Sequence, residues 1–272
     1  MTPGVWTVYR WELRKLISLK RTYLGLFAAM GVPLAFTITL SFRHGRANDV
    51  PFGAYVHQSG LAIPLVLLTF ASAFLLPLIT SLVAGDIVAS EDQNGTLKTI
   101  LTRSIQRGQV YFGKVLAAVT YTIVALLLLG VVSVVAGSIV SGFNSLTTLS
   151  GTTVSASSAL LLVSASFGVY LVPLLTVALL GVMLSTITRN SAAAVVGTLV
   201  TVLLIELVGI LPGLESIRPY LLTRQFDAWQ GLLRQPIDWS PITHAVWVCA
   251  LYCIPALVAG YLVFLRRDVA GG

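Results

Sequence analysis

The feature that most constrains this sequence is a run of 74 residues, 115–188, that contains no Asp, Glu, Lys or Arg. About one residue in four of a soluble domain is charged, so such a domain does not contain an uncharged run of this length. Three further uncharged intervals occupy residues 22–42, 50–85 and 239–265. A helix needs about 20 apolar residues to cross the hydrocarbon core of a bilayer. These intervals predict an all-α membrane protein with several spans, and they exclude a soluble fold.

Hydrophobic length and turn residues divide the chain into six predicted transmembrane helices. Their limits are about 22–42, 60–84, 113–140, 159–185, 190–211 and 243–265. Each is long enough to cross a bilayer with modest tilt. The segments between them are too short for a soluble domain, so residues 1–272 are predicted to form a single transmembrane domain without a nucleotide-binding domain.

The distribution of basic residues predicts the orientation of these spans. Of the 17 Lys and Arg, twelve lie on the side that holds both termini, the 85–112 loop and the 186–189 turn, and five lie on the other. Basic loops are retained in the cytoplasm, which places both termini there. This retention explains the net charge of +7 without a nucleic-acid partner. The N-terminus lacks the form of a signal peptide, which fits the inner membrane of a bacterium.

The first 21 residues predict an amphipathic helix in the membrane interface. At 100° per residue, six apolar side chains fall within about 120° of arc. They are Val5, Trp6, Tyr9, Leu13, Leu16 and Ile17. Trp6 and Tyr9 are expected at headgroup level, while Arg10 and Arg14 lie beside the stripe and face anionic lipid or cytoplasm. A plain basic anchor that only fixes topology is the alternative.

The loop between predicted spans two and three combines acidic, turn and apolar signals. Its acidic residues are Asp86, Glu91 and Asp92. Asn94-Gly95 is a turn signal, and Thr96 is placed to cap a short helix over 97–103. The apolar face of that helix consists of Leu97, Ile100 and Leu101. Such a helix is suited to dock into a groove on a soluble partner, although a simple connector with solvated charges is the alternative.

This loop resembles the first cytoplasmic loop of type-2, exporter-type ABC transporter permeases. The resemblance lies in Glu91, then Gly95-Thr96, a short apolar helix, Arg107, and Lys114 at the opening of the next span. The whole chain has a similar arrangement: an amphipathic elbow helix, six spans, a long loop after span five, and the ending Phe264-Leu265-Arg266-Arg267-Asp268. The family commonly has Pro where Ser104 stands, so the loop departs from the pattern there.

The resemblance implies a permease that exports a hydrophobic or amphipathic substrate, such as a drug, antibiotic, lipid or peptide. It implies two copies of a separate ATPase, which would bind ATP and Mg, and a second copy of this permease or a close relative. It also implies that the 91–107 segment is the ATPase-coupling surface. The residues concerned are Glu91, Asp92, Gly95, Thr96, Leu97, Ile100, Leu101, Arg103 and Arg107. The chain itself is expected to bind no cofactor.

No catalytic or metal-binding set is predicted. Residues 108–114 match G-x-x-x-x-G-K, but Val115 replaces the hydroxyl residue that must ligate magnesium. Neither H-E-x-x-H nor G-x-S-x-G occurs, which disfavours a membrane-embedded protease or transferase. Cys249 and Cys253 alone are too few for a metal site. An ion-driven secondary transporter, which would need several mid-membrane ionisable groups, and a non-transporting scaffold are the remaining alternatives.

Glu206 is the one acid well inside a predicted span, near the external end of span five. An intramembrane acid suggests a functional role; here it is a partner for Arg218 or Arg224, a substrate contact, or a group that snorkels to water. The next loop, 212–242, has apolar and aromatic residues at near-helical spacing, which predicts short helices at the outer leaflet. Glu206 and Trp229 of that loop are candidates for the substrate path or outer gate.

Overall fold

The computed structural model describes residues 4–42, 51–96 and 106–266. In chain order the α-helices are α1 (Val5–Ser18), α2 (Lys20–Phe42), α3 (Ala62–Phe70), α4 (Leu76–Ala84), α5 (Ala89–Gln93), α6 (Arg107–Ser141), α7 (Ala156–Thr188), α8 (Ser191–Ile210) and α9 (Ser240–Leu265). Ala71–Leu75 forms a π-helical turn, and 3-10 helices cover Gly53–Tyr55, Arg218–Tyr220 and Leu222–Leu233. The only strands in the described ranges, β1 (Leu146–Thr147) and β2 (Thr153–Val154), pair antiparallel.

Within these residues, five helices are long and apolar enough to cross a membrane: α2, α6, α7, α8 and α9. They correspond to five of the six predicted spans, and they confirm that the chain is a membrane protein built from helices. Most of them extend beyond the predicted limits, because hydropathy detects only the part of a helix inside the hydrocarbon. Between α7 and α8 the chain turns at Arg189, whose φ is 54°, and the Asn190 side chain caps α8 by accepting a hydrogen bond from the Ala193 N–H at 3.0 Å.

Predicted span two takes a different form from the other five. Residues 62–84 follow one another through α3, the π-helical turn and α4 without a gap, but each segment is too short to cross a bilayer alone. Pro77 near the start of α4 lacks the N–H that would bond the carbonyl of residue 73. A π-helical turn at this point widens the helix and relieves the clash with the proline ring. The sixth span therefore stays a prediction.

Helix α7 lies at the centre of the bundle, packed against α4, α6, α8, α9 and the 222–233 helix. The most apolar stretch of α7 is 56% buried, whereas those of the other four long helices are only 22–28% buried. The exposed surface of the outer helices consists largely of apolar side chains, among them Phe27, Ile139 and Leu204. A soluble monomer does not expose so large an apolar surface, so lipid is its natural solvent.

The bundle has two differently built ends, which we call the basic edge and the opposite edge. The basic edge contains α1, residues 85–96, the start of α6, the α7–α8 turn and the end of α9. The opposite edge contains residues 51–61, the β1–β2 hairpin and the cap segment, residues 211–239. Its parts are joined by backbone hydrogen bonds from the Gly60 N–H to the Gly142 carbonyl and from the Leu149 N–H to the Leu233 carbonyl, both 2.9 Å. The short helices predicted in 212–242 take the 3-10 form.

Candidate functional site at the basic edge

Lys114, near the start of α6, is completely buried and is held by three acceptors. Its amine lies 2.8 Å from Oε1 of Glu12 in α1 and 2.6 Å from Oε2 of Glu91 in α5. It also donates to the Ile87 carbonyl at 3.1 Å. The contacts with Glu12 and Ile87 are hydrogen bonds, and the contact with Glu91 is an ion pair. Glu12, Lys114 and Glu91, which we call the buried triad, therefore join three helices from distant parts of the chain.

Glu91 is paired on both of its carboxylate oxygens. Oε2 faces Lys114, and Oε1 forms an ion pair with Lys15 of α1. Burial raises the pKa of the Glu91 carboxyl, but Lys114 and Lys15 outweigh burial and hold that pKa below its ordinary value of 4.5. The group is consequently a carboxylate at neutral pH. A buried charge persists only with such partners, which makes α1 and α6 necessary to the position of α5.

Helix α5 is fixed at its start by α7. The hydroxyl oxygen of Ser185 accepts hydrogen bonds from the backbone N–H groups of Val88 and Ala89, at 3.1 and 2.9 Å. The first N–H groups of a helix have no partner within the helix, so a serine from a neighbouring helix takes the place of a local cap. Beyond α5, Gly95 has a φ of 69°, and the Thr96 hydroxyl donates back to the Glu91 carbonyl at 3.2 Å.

A second charged contact lies one turn before α5. Asp86 forms an ion pair with Arg21 of α2, and it accepts a hydrogen bond from the Ser191 hydroxyl at the start of α8. At the preceding residue, a Cβ on Gly85 would lie 2.8 Å from backbone atoms of Val195. Only glycine lets the end of α4 approach α8 this closely. The chain from Gly85 onward is thus attached to α2 and α8 as well.

Helix α1 packs against α6 along one side and is exposed along the other. Val8 lies over Gly113, where a Cβ would come within 2.7 Å of Val8 Cγ1, and the Tyr9 and Thr120 hydroxyls lie 2.8 Å apart. Trp6 is 63% exposed, and Arg10 and Arg14 are exposed as well. The predicted amphipathic helix is present, but part of its apolar face contacts α6. Placement of Trp6, Arg10 and Arg14 in the lipid interface stays a prediction.

Sequence reasoning missed Glu12 and Ser185, and treated Lys114 only as the opening of a span. A signal for Glu12 existed, because it is the single acid of α1 and points to the same side as Val8 and Leu16, which are buried. An acid on the apolar side of an amphipathic helix needs a buried partner. No comparable signal marks Ser185, one of many hydroxyl residues in the apolar helices.

The predicted coupling residues separate into three groups. Glu91 belongs to the buried triad, and Asp92, Gly95 and Thr96 follow it in the chain. The Asp92 carboxylate lies 3.8 Å from the guanidinium of the exposed Arg189. Leu97, Ile100, Leu101 and Arg103 lie outside the described residues. The Arg107 guanidinium donates to the Leu265 carbonyl at 2.7 Å, at the end of α9 where carbonyl groups lack helical partners. Arg107 therefore ties the start of α6 to α9.

At the opposite edge, the two arginines predicted as partners of Glu206 are bonded to the end of α8. Arg218 and Arg224 donate to the carbonyls of Leu211 and Gly209, each at 3.2 Å, where the end of α8 attracts positive charge. No ion pair of Glu206 within 4.0 Å occurs among the described residues. Trp229 is completely buried, with its ring centroid 6.2 Å from that of Phe52. Their roles in a substrate path or gate stay predictions.

In the described part of the chain, no group of three or more His, Cys, Asp or Glu is arranged to hold a metal ion. The amine of Lys114, which ends the G-x-x-x-x-G-K stretch, is bonded to carboxylates and a carbonyl. A phosphate group at this position would have to displace these acceptors inside a helix bundle. The buried charges of the basic edge are therefore paired with one another and are not directed at a bound ligand.

Comparison with known proteins found one matching family model and two similar curated proteins. The family model is described as a protein of unknown function (DUF2705) and matches residues 27–270. The chain is 33% identical over 120 residues to "Probable ABC transporter permease protein NosY" of Pseudomonas aeruginosa, which covers 42% of this chain and 38% of that protein. It is 44% identical over 55 residues to the protein of the same name from Stutzerimonas stutzeri, covering 20% of each. The matches thus span about two fifths and one fifth of these relatives.

Proposed function

The chain belongs to the DUF2705 family, and from that premise we propose that it is the permease subunit of an ABC transporter. The similarity to two proteins named as ABC permeases supports the class. The observation that carries the proposal is the buried triad, in which Lys114 connects Glu12 and Glu91 immediately before the segment predicted to be a coupling helix. A permease needs a rigid link at that place, between the surface that an ATPase pushes and the helices that move.

The buried charges of the basic edge make such a link. Separating Glu91 from Lys114 would leave an unpaired charge in a dry environment, which costs several kcal/mol. Helices α1, α5 and α6 therefore move together more readily than apart. A push on the 97–103 segment would pass through α5 to α1 and α6, and through Ser185 to α7. The response would be a two-state rearrangement of packed helices.

The finer parts of the proposal follow the family that the sequence resembles. The protein has six spans, with 60–84 as the second, and both termini lie in the cytoplasm of a bacterium. Two permease chains assemble with two copies of a separate ATPase, which binds ATP and Mg. The chain itself catalyses no reaction and binds no cofactor. Its substrate is hydrophobic or amphipathic and is exported, which suits a bundle whose long helices contain few charges.

Copurification with an ATPase tests this proposal. The tagged chain is co-expressed with the ATP-hydrolysing proteins encoded beside it, as wild type and as Leu97→Asp. Ile237→Asp, an equally polar change at an exposed apolar residue of the opposite edge, is the matched control. An ATPase that is retained by the wild type and the control, and lost with Leu97→Asp, is the expected result. Absence of any ATPase would contradict the proposal. Equal loss of the ATPase in both variants would contradict the orientation of the chain, in which the basic edge faces the ATPase.

A further inference from the structure

A cavity of about 300 Å³ lies at the opposite edge, between the 222–233 helix and the first turn of α9. Its charged and polar lining residues are Arg224, Gln225, Asp227, Gln230, Arg234 and His244. The proposed transport mechanism uses none of these residues. A cavity of this size, with a mainly apolar lining and a few convergent polar groups, is the usual form of a small-molecule site.

The charges in the cavity are of both signs and are only partly neutralised within the protein. Arg234 lies 3.4 Å from Asp238, and both side chains are substantially exposed. Asp227 accepts a hydrogen bond from the Gln230 amide at 3.2 Å, and in the described part of the chain no cation lies within ion-pair distance of it. Burial raises the pKa of Asp227, and the nearby carboxylate of Glu206 adds to this effect, while Arg224 and the Gln230 amide only partly oppose it. A positive group beside the Asp227 carboxylate would therefore be favourable.

Two exposed aromatic residues near the cavity indicate a position at the membrane surface. Tyr220 is 52% and Trp239 is 59% exposed. Trp239 directly precedes α9, and the Tyr220 ring lies 5.7 Å from the ring of His244, which lines the cavity. Exposed Trp and Tyr residues concentrate at the level of lipid headgroups. The cavity is thus accessible from the leaflet at the opposite edge.

We propose that this cavity binds the headgroup of a zwitterionic phospholipid of the phosphatidylethanolamine type. The phosphodiester lies against the guanidinium groups of Arg224 and Arg234, which match phosphate oxygens in geometry and charge. The ammonium group lies against the carboxylate of Asp227. The acyl chains continue along the apolar outer surface of the neighbouring helices. A headgroup with both charges complements the cavity, whereas a purely anionic headgroup would leave Asp227 facing negative charge.

Lipid retention measured by native mass spectrometry tests this assignment. The chain is purified from nanodiscs that contain equal amounts of phosphatidylethanolamine and phosphatidylglycerol. The wild type is expected to retain phosphatidylethanolamine preferentially. Asp227→Asn should abolish that preference, because it removes the charge that attracts the ammonium. Arg234→Gln should weaken retention of both lipids by about tenfold, the effect of losing one charged hydrogen bond.

Arg218→Gln is the matched control, because Arg218 belongs to the same segment but donates to Leu211 and does not line the cavity. It should retain lipids as the wild type does, and thermal unfolding of each variant shows whether it is folded. Equal retention of both lipids by the wild type, or the same loss in Arg218→Gln, would overturn the proposal. Free phosphoethanolamine is added in a parallel sample. Full displacement of the lipid by that soluble compound would show a site for phosphate esters from water, which would also overturn the lipid assignment.

Discussion

The amine of Lys114 lies 2.6 Å from the carboxylate of Glu91, and neither side chain is accessible to solvent beyond a few per cent. The two residues belong to α6 and α5, on either side of the segment predicted to contact an ATPase. Glu12 of α1 completes the contact at 2.8 Å. These contacts attach the short helix α5 to the bundle, although its position in the sequence is that of a surface connector.

Replacing Lys114 tests how much this contact contributes to the free energy of unfolding. Lys114→Met keeps the length of the side chain but leaves Glu12 and Glu91 buried without their shared cation. We expect a loss of about 3–5 kcal/mol in the free energy of unfolding, the usual cost of breaking a buried ion pair from one side. Thermal unfolding in detergent micelles measures the effect.

Lys20→Met is the control for that measurement. Lys20 is exposed at the start of α2, so its replacement should change stability by no more than about 0.5 kcal/mol. Equal unfolding temperatures for the two variants would mean that the buried triad contributes nothing.

The paired state of Glu91 predicts a dependence of stability on pH. Because the folded-state pKa lies below the ordinary value of 4.5, Glu91 stabilises the fold at neutral pH and loses this contribution as the pH falls below 4.5. Glu91→Gln lacks this contribution at every pH. The wild type should therefore unfold at a higher temperature than Glu91→Gln at neutral pH, and the difference should shrink in acid. A difference that is constant with pH would contradict the assignment.

Replacing Ser185 should destabilise the start of α5. Ser185→Ala removes the acceptor of the Val88 and Ala89 N–H groups, and leaving buried donors unsatisfied costs about 1–3 kcal/mol. Hydrogen exchange at Val88 and Ala89 should become faster. Ser164→Ala is the control in the same helix, because the exposed Ser164 hydroxyl donates only to Leu160 of its own helix. Unchanged exchange in Ser185→Ala would show that α5 does not depend on α7.

The contact between α1 and α6 depends on the absence of a side chain at Gly113. In Gly113→Val the new Cβ would lie 2.7 Å from Val8 Cγ1, so α1 must shift, at a cost of about 1–3 kcal/mol. Limited proteolysis should then cut within α1 sooner than in the wild type. Gly168→Val, at a helical glycine with open space around it, should leave α1 protected. Early cleavage in both variants would point to a general loss of stability.

Hydropathy located the membrane-crossing helices because a helix in lipid needs an uninterrupted stretch of apolar residues. The limits of α2 and α8 differ from the predicted spans by no more than two residues at either end. α6 instead begins at Arg107, well before the predicted start at 113, because a helix continues through its polar flank. Pro77 indicated that predicted span two could be kinked, but the π-helical turn at Ala71–Leu75 was not predicted.

The candidate site was predicted only in part, since its contacts join residues far apart in the sequence. The acids after predicted span two were recognised, but their partners were not. Glu12 and Lys114 are 102 residues apart, and no periodicity connects such a pair. Arg107 was assigned to coupling from the family resemblance, and this role stays a prediction; its hydrogen bond to the Leu265 carbonyl was not foreseen. Long-range pairing of charges requires the tertiary structure.

In the proposed mechanism, the buried triad couples this chain to an ATPase. The most direct test is the rate of ATP hydrolysis by the copurified complex in lipid nanodiscs, with wild-type chain and with Glu91→Gln, which keeps the shape of the side chain and removes its charge. We expect that both complexes assemble and that the wild-type complex hydrolyses ATP at a rate distinct from the isolated ATPase. We also expect that Glu91→Gln returns the rate toward that of the isolated subunit. Identical rates for the two complexes would contradict the coupling role of the buried triad.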